Sequence, residues 1–449
     1  MKKLLTLCLV LFCGIQTAHA SILDIQDFTT EKGIRIWLVE DHTVPVLSLQ
    51  FLFRGAGSIN DPEDKQGLSQ ILSNTLDEGA GDLDAKTFQA QLTDQSISLR
   101  FFSSRDDFGG ALKTLSKYQD HAFKLLHLAL TAPRFEEDAI RRMRDANFAR
   151  IRSSMTDPEW MTARLTNAVL FRDHPYAMNS GGTLSTLPRI TADDLQDKVK
   201  TQLGRDRLII AVAGNIAKGE LSQKIDDVFG NLPDHSKVGE VSPAKFPAEE
   251  KPVQFEKDIP QTVIQIAMPG IPNSDPDYFA AEILNYTLGG AGFGSRLTEV
   301  VREQRGLTYG IYSNLSEMDY ANLLTIGTST RTENVGEVLS LVNQELSRMG
   351  SEPVSAKELA DAKSYLVGSV PLDLTSTDRI AAMMISFQSF NLPTDYLDIR
   401  EKGLKSATRE DVLRVAKRLL GQNRKVTVMV GTVTDPSSVR LVEKLPDIE

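Results

Sequence analysis

Two distant stretches of this chain repeat one another. ITADDL followed by LIIAVAGNI is echoed by ATREDV followed by VTVMVGTVT, and a single offset of 217 residues relates Thr191 to Thr408 and Gly214 to Gly431. An offset kept across a helix start, a helix and a strand implies a duplicated α+β unit. The surrounding pattern agrees. Residues 34–39 and 46–53 are rich in β-branched and aromatic residues and turn around Asp41-His42, which predicts a strand pair. A helix is predicted over about 84–94, strands over 97–103 and about 108–115, and helices over about 118–130, 136–154 and 158–171. Thr191 caps a further helix with acids in its first turn, and strand 208–213 and a helix ending at Phe229 close the half. The second half predicts strand 263–268, helices 278–288 and 295–303, strands 307–315 and 321–329, several helices, and a last strand at 425–430. Between the halves, residues 231–253 carry Pro233, Pro243, Pro247 and Pro252 with few large apolar residues, the composition of an extended linker. The expected fold class is therefore α+β, with two homologous lobes at 21–230 and 254–449, each a mostly antiparallel sheet covered by helices.

The chain begins MKKLLTLCLVLFCGIQTAHA, where Lys2 and Lys3 precede an apolar run from Leu4 to Phe12 and Ala18-His19-Ala20 forms a small-x-small cleavage site. This is the form of a secretory signal, with residues 1–20 removed, and the run is too short for a permanent membrane span. Export to the periplasm of a double-membraned bacterium is the expected address. Full secretion fits the same signal, and no membrane attachment is expected after cleavage. Both cysteines, Cys8 and Cys13, lie in the signal, so the mature chain has neither a disulfide nor a cysteine nucleophile. The formal net charge is −10, more negative still without Lys2 and Lys3, and no basic tract stands out, which argues against nucleic acid as a partner.

GLSQILSNTLDEGAG, residues 67–81, places Leu68, Ile71, Leu72 and Leu76 at three-and-four spacing. It predicts an amphipathic helix with Gln70, Ser73 and Asn74 on one face. The stretch resembles the zinc helix of the pitrilysin/insulinase metallopeptidases, whose H-x-x-E-H sets two imidazoles and a general-base Glu on one face. The resemblance aligns those positions with Gln70, Ser73 and Asn74. It aligns the family's third ligand, a Glu on a later helix, with Arg150 in RDANFARIR. Amides are weak zinc donors, a serine hydroxyl lacks the basicity to activate water, and a guanidinium puts a positive charge where the cation belongs. No metal is expected to bind this chain.

The second half contains NYTLGGAGFGSRLTEVVREQRGLTYGIYS, residues 285–313. Its glycines lack both a preceding strand and a following Lys-Ser/Thr, so a phosphate loop is not expected. On residues alone, Arg302 beside Glu299 and Glu303 reads as a solvated helix face and Tyr309 as core packing or a functional group. F-G-S-R-L…V-R-E-x-R-G-L-x-Y is similar to the second-half signature of the same family, in which an Arg and a Tyr seven residues apart reach over the zinc site. Here these are Arg302, ending a helix, and Tyr309, entering the next strand, with Gly306 permitting the turn. FRDHPYAMNSGG also resembles the family's H-P-Y-G loop, at His174, Pro175 and Tyr176, and is expected to be a structural corner.

The resemblance spans about Asp27 to Val433 and is divided, with the zinc half replaced and the Arg/Tyr half kept. It implies a non-catalytic, substrate-holding subunit of a heterodimeric zinc peptidase acting on unfolded peptides. Its partner would be a homologous H-x-x-E-H subunit that carries the zinc, and its ligand an extended peptide. A binding or assembly protein of the same fold without a peptidase partner is the rival, and an enzyme with relocated ligands is a third reading.

Overall fold

The computed structural model describes residues 21–248, 251–421 and 424–446; the predicted signal, 1–20, lies outside them. The first half runs β1 (Gln26–Thr29), β2 (Arg35–Glu40), β3 (Val46–Phe53), α1 (Leu68–Thr75), the short β4 (Gly79–Ala80) and β5 (Leu83–Asp84), α2 (Ala85–Asp94), β6 (Ser98–Ser103) and β7 (Phe108–Leu115). It continues with α3 (Gln119–Thr131), α4 (Glu137–Ser154), α5 (Pro158–Leu170), α6 (Ala192–Gln202), β8 (Leu208–Gly214) and α7 (Lys218–Phe229). The second half runs β9 (Val253–Glu256), β10 (Gln261–Pro269), α8 (Tyr278–Asn285), β11 (Ile311–Met318) and β12 (Ala321–Arg331). Helices α9 (Val335–Ser351), α10 (Ala356–Gly368), α11 (Val370–Asp373), α12 (Thr377–Ser389), α13 (Tyr396–Ser406) and α14 (Arg409–Leu420) precede β13 (Val426–Gly431) and β14 (Arg440–Val442).

The strands form two six-stranded sheets, ordered β1-β2-β8-β3-β7-β6 and β11-β12-β10-β13-β9-β14. Reading the second in reverse, β9, β13, β10, β12 and β11 occupy the places of β2, β8, β3, β7 and β6, so the repeat seen in the sequence is a repeat of topology. Pairing is mostly antiparallel, with parallel pairs at β2–β8, β9–β13 and β9–β14. The capping boxes legible at Thr191 and Thr408 are both formed, with Asp194 and Asp411 returning the bond.

Several expectations need correction. The strand expected from Leu307 starts at Ile311, so Tyr309 lies in the loop before the strand rather than inside it. The helix expected to reach Leu288 leaves α geometry after Asn285 for a π-type turn over Tyr286–Gly290, and Thr298–Glu303, expected as ordinary helix, is also π-type. Edge strands β1 and β14 are additions, as is β9 inside the second sheet, whose first residue, Val253, was expected to end the linker.

The halves also exchange helices. On α12, Ile380, Ala381, Met384 and Ile385 pack against Trp37, Val39, Leu52, Ala211 and Ala213 of the first sheet, and the Gln388 amide donates to the Ile210 carbonyl at 2.9 Å. Reciprocally, Leu165 and Val169 of α5 pack with Val253, Ala267, Val426 and Val428 of the second sheet. Each sheet is thus covered on one face by its own helices and on the other by a helix from the opposite half. At about 1.5–3 kcal/mol for each large aliphatic side chain fully buried, this exchange is a substantial part of what holds the halves together.

A polar junction completes the contact. Arg54 of the first half bridges Asp107 at 3.0 Å and Asp319, in the β11–β12 turn of the second half, at 2.7 Å. The Tyr176 hydroxyl donates to Asp106 at 2.5 Å and accepts from the Tyr320 amide at 3.2 Å. Burial pushes the Asp107 carboxyl up to about 6, outweighing its pairing with an arginine that Asp319 shares.

Candidate functional site

Helix α1 begins at Gly67, whose φ of 92° belongs to the left-handed region. A Cβ there would lie 2.7 Å from the Gly182 Cα, so both conformation and space require glycine. No cap residue closes this end. The Asp61 carboxylate does so from outside, accepting the Ser69 amide at 3.1–3.2 Å and its hydroxyl at 2.6 Å. Lys198 of α6 pairs with Asp61 at 3.1 Å, both side chains being 1% exposed. Burial raises Asp61 and lowers Lys198, while each opposes the other's shift as an ion pair.

On the helix so anchored, Gln70, Ser73 and Asn74 do share a face, and they use it on one another. The Gln70 amide donates to Asn74 Oδ1 at 2.6 Å and to Ser73 Oγ at 3.2 Å, and Ser73 Oγ donates to the Gln70 carbonyl at 2.8 Å. Arg150 on α4 donates to Asn147 at 3.1 Å, and its Nη2 sits where a Cβ on Gly181 would be, 2.6 Å away. These four positions do not fit a divalent metal: the amide oxygen of Asn74 is engaged and the fourth group is a fixed cation. Among the described residues no group of three or more His, Cys, Asp or Glu side chains is placed to hold a metal ion.

The second-half signature presents itself differently. Arg302 lies on the π-type turn Thr298–Glu303, a geometry frequent at functional sites. The chain then reverses at Gly306, φ 64°, whose amide donates to the Arg302 carbonyl at 2.8 Å. Tyr309 beyond it is 84% exposed, which removes core packing as its explanation. The guanidinium of Arg302 lies 4.5 Å from the ring of Phe293, itself 73% exposed, and Glu303 is 3.6 Å away. Stacking occupies the face of a guanidinium and leaves its N–H edge free for acceptors. Tyr312, on the edge strand β11, adds a third exposed ring. Phe293 opens the F-G-S-R-L run without a role assigned from sequence, and Tyr312, at an outward strand position, was not singled out.

His174, Pro175 and Tyr176 form an inter-lobe corner. His174 Nδ1 accepts the Tyr176 amide at 3.1 Å and Nε2 donates to the Ser242 carbonyl of the linker at 3.0 Å, a pair of roles that only the neutral ring can fill. Burial lowers its pKa in the same sense. Tyr176 is 1% exposed at the junction with Tyr320.

The molecule thus has two duplicated α+β lobes, with a self-bonded polar helix face on the first and an Arg/Tyr turn on the second. Residues 36–183 match the family described as insulinase (peptidase family M16), and residues 189–366 match the peptidase M16 inactive domain. The chain belongs to this family. The non-peptidase homolog YmxG of Helicobacter pylori is 29% identical over 378 residues, 83% of this chain and 85% of its own. An uncharacterized zinc protease YmxG of Bacillus subtilis is 23% identical over 354 residues, covering 79% and 85%. The crystal structure of a peptidase M16 inactive domain from Pseudomonas fluorescens superposes with a TM-score of 0.85 at 27% identity, covering 92% of this chain and 99% of that one.

Proposed function

We propose that this chain is the non-catalytic, substrate-holding subunit of a two-chain zinc peptidase that acts on unfolded peptides in the periplasm. One contrast carries the reading: the polar side chains on α1 bond one another, whereas Tyr309 stands exposed and Arg302 partly exposed just before the edge strand β11. The metal and the base that activates its water would belong to a homologous partner bearing H-x-x-E-H. This chain binds and orients. An extended peptide adding to a sheet edge gains main-chain hydrogen bonds, the Arg302 N–H groups donate to a peptide carbonyl, and the Tyr309 hydroxyl donates to the oxygen on which charge develops. The exported address rests on the signal at residues 1–20 and agrees with a chain in which no described helix is long and apolar enough to cross a membrane.

The test is hydrolysis of an unstructured peptide by each subunit alone and by the mixture, with metal content measured after dialysis against dilute zinc. Activity only on mixing, and no stoichiometric zinc in this chain, are expected. An inert mixture would return the chain to the rival role of a binding or assembly protein, and tight zinc in this chain would overturn the whole assignment.

A further inference from the structure

Helix α12 has two working faces. One lies on the first sheet; the other, carrying Met383, Ser386, Phe387 and Phe390, walls a cavity of about 420 Å³ against α8, α13 and the end of β11 in the body of the second half. The cavity therefore lies beneath α12, and its lining residues all belong to the second half.

Its chemistry is lopsided. Two carboxylates from different elements face it, Glu282 of α8 and Glu317 of β11, with Asp373 at the rim. Against them stands Arg400, which gives Nε and Nη2 to the same oxygen of Glu282, Oε1, at 3.2 and 2.9 Å, and turns Nη1 to the Leu366 carbonyl at 3.0 Å. Asp373 has Arg379 at 3.9 Å, outside. Glu282 Oε2 is left buried with no hydrogen-bond partner, an uncommon state for a carboxylate oxygen. The Tyr278 hydroxyl, on the same wall, makes no hydrogen bond to any described residue. Glu317 accepts the amide and the side chain of Asn273, so its place is fixed. The remaining wall is aromatic, with Phe387 and Tyr396 in edge-to-face contact at 5.1 Å.

We infer that this cavity binds a small organic primary ammonium carrying an apolar body, its N–H groups on Glu317, beside the Glu282–Arg400 pair, and its body among the rings of Phe387, Phe390 and Tyr396. An ammonium supplies three donors and a positive charge to a place with surplus negative charge, and aromatic faces attract cations. A carboxylate or phosphate would meet like charge. A neutral ligand would leave the surplus uncompensated. Burial raises both carboxyls, at Glu282 against its pairing with Arg400 and at Glu317 against the hydrogen bonds from Asn273. This inference is independent of whether a peptidase partner exists.

Calorimetric titration of the full mature chain with phenethylamine tests it, with 2-phenylethanol as the neutral isostere and a Phe-Ala-Ala-Ala amide as the peptide form of the same ammonium. Saturable one-to-one binding of the amine, at least tenfold tighter than the alcohol, is expected. Equal affinity for the peptide assigns the ammonium to a peptide's amino end, and exclusion of the peptide assigns it to a free amine. Glu317→Gln and Glu282→Gln should each weaken the amine at least tenfold with the alcohol unaffected. Since Glu282→Gln also disturbs Arg400, Glu317→Gln with an unchanged circular dichroism spectrum decides. No saturable binding, equal binding of amine and alcohol, or full affinity in Glu317→Gln overturns the site.

Discussion

The face of α1 and the turn from Arg302 to Tyr309 lie in opposite halves of a duplicated fold, at positions the repeat does not equate, and one is closed where the other is open. On α1 three polar side chains consume one another's hydrogen bonds, and the helix is pinned by a buried Asp61–Lys198 pair. At the turn, the tyrosine is almost fully exposed and the arginine offers its edge to solvent. Exposed aromatic surface gains nothing for folding, and the role proposed for the open region accordingly lies outside the chain's own stability. The closed region is organised for stability.

That contrast breaks most readily at Lys198. Lys198→Ala leaves the Asp61 charge buried without its cation and should cost about 3–5 kcal/mol of stability, read by urea unfolding. A loss below about 1 kcal/mol would mean that α1 is not held in this way. Tyr309→Phe makes the opposite forecast. It should leave unfolding unchanged but lower turnover of the reconstituted complex on the order of a hundredfold or more, as loss of an oxyanion donor does. Unchanged turnover and peptide affinity would make the turn a scaffold.

The junction joining the two regions predicts a pH effect. Asp107 has its carboxyl pushed up to about 6 from 3.8, so between those values the folded chain holds a proton that the unfolded chain has released. Stability should therefore fall as pH rises from about 4 to about 6, by about 3 kcal/mol from this group, and then level off. Asp107→Asn should flatten much of that slope. Asp106, raised in the same direction by burial, retains a remainder. A slope unchanged in Asp107→Asn would place the titration elsewhere. The smallest effect is expected at Gln70→Leu, which removes one donor from a half-buried triad: about 1 kcal/mol or less, with no change in the activity of the complex.

Much of the fold was written locally. The strands β2, β3, β7, β8 and β13, the helices α2 to α5, and the caps at Thr191 and Thr408 follow from periodicity and capping chemistry acting within a few residues. The site was legible in parts: the polar face of α1 from spacing, and the Arg302–Gly306–Tyr309 turn from resemblance and a glycine whose φ is indeed positive. What stayed hidden depends on distant partners. The exchange of α5 and α12 was foreshadowed only by the unbroken apolar runs IWLV, LIIAVA and VTVMV, which mark strands covered on both faces without saying by what.

The sequence by itself determined that the chain is two copies of an α+β unit, because periodicity and capping chemistry are properties of residues wherever they lie. Tertiary structure alone decided which groups face which. Asp61 meets Lys198 across 137 residues and Arg54 meets Asp319 across 265. Whether Tyr309 packs or projects depended on what surrounds it. Such pairings are fixed only when packing of the sheets and exchanged helices brings remote side chains together, since no local propensity records a partner so far along the chain.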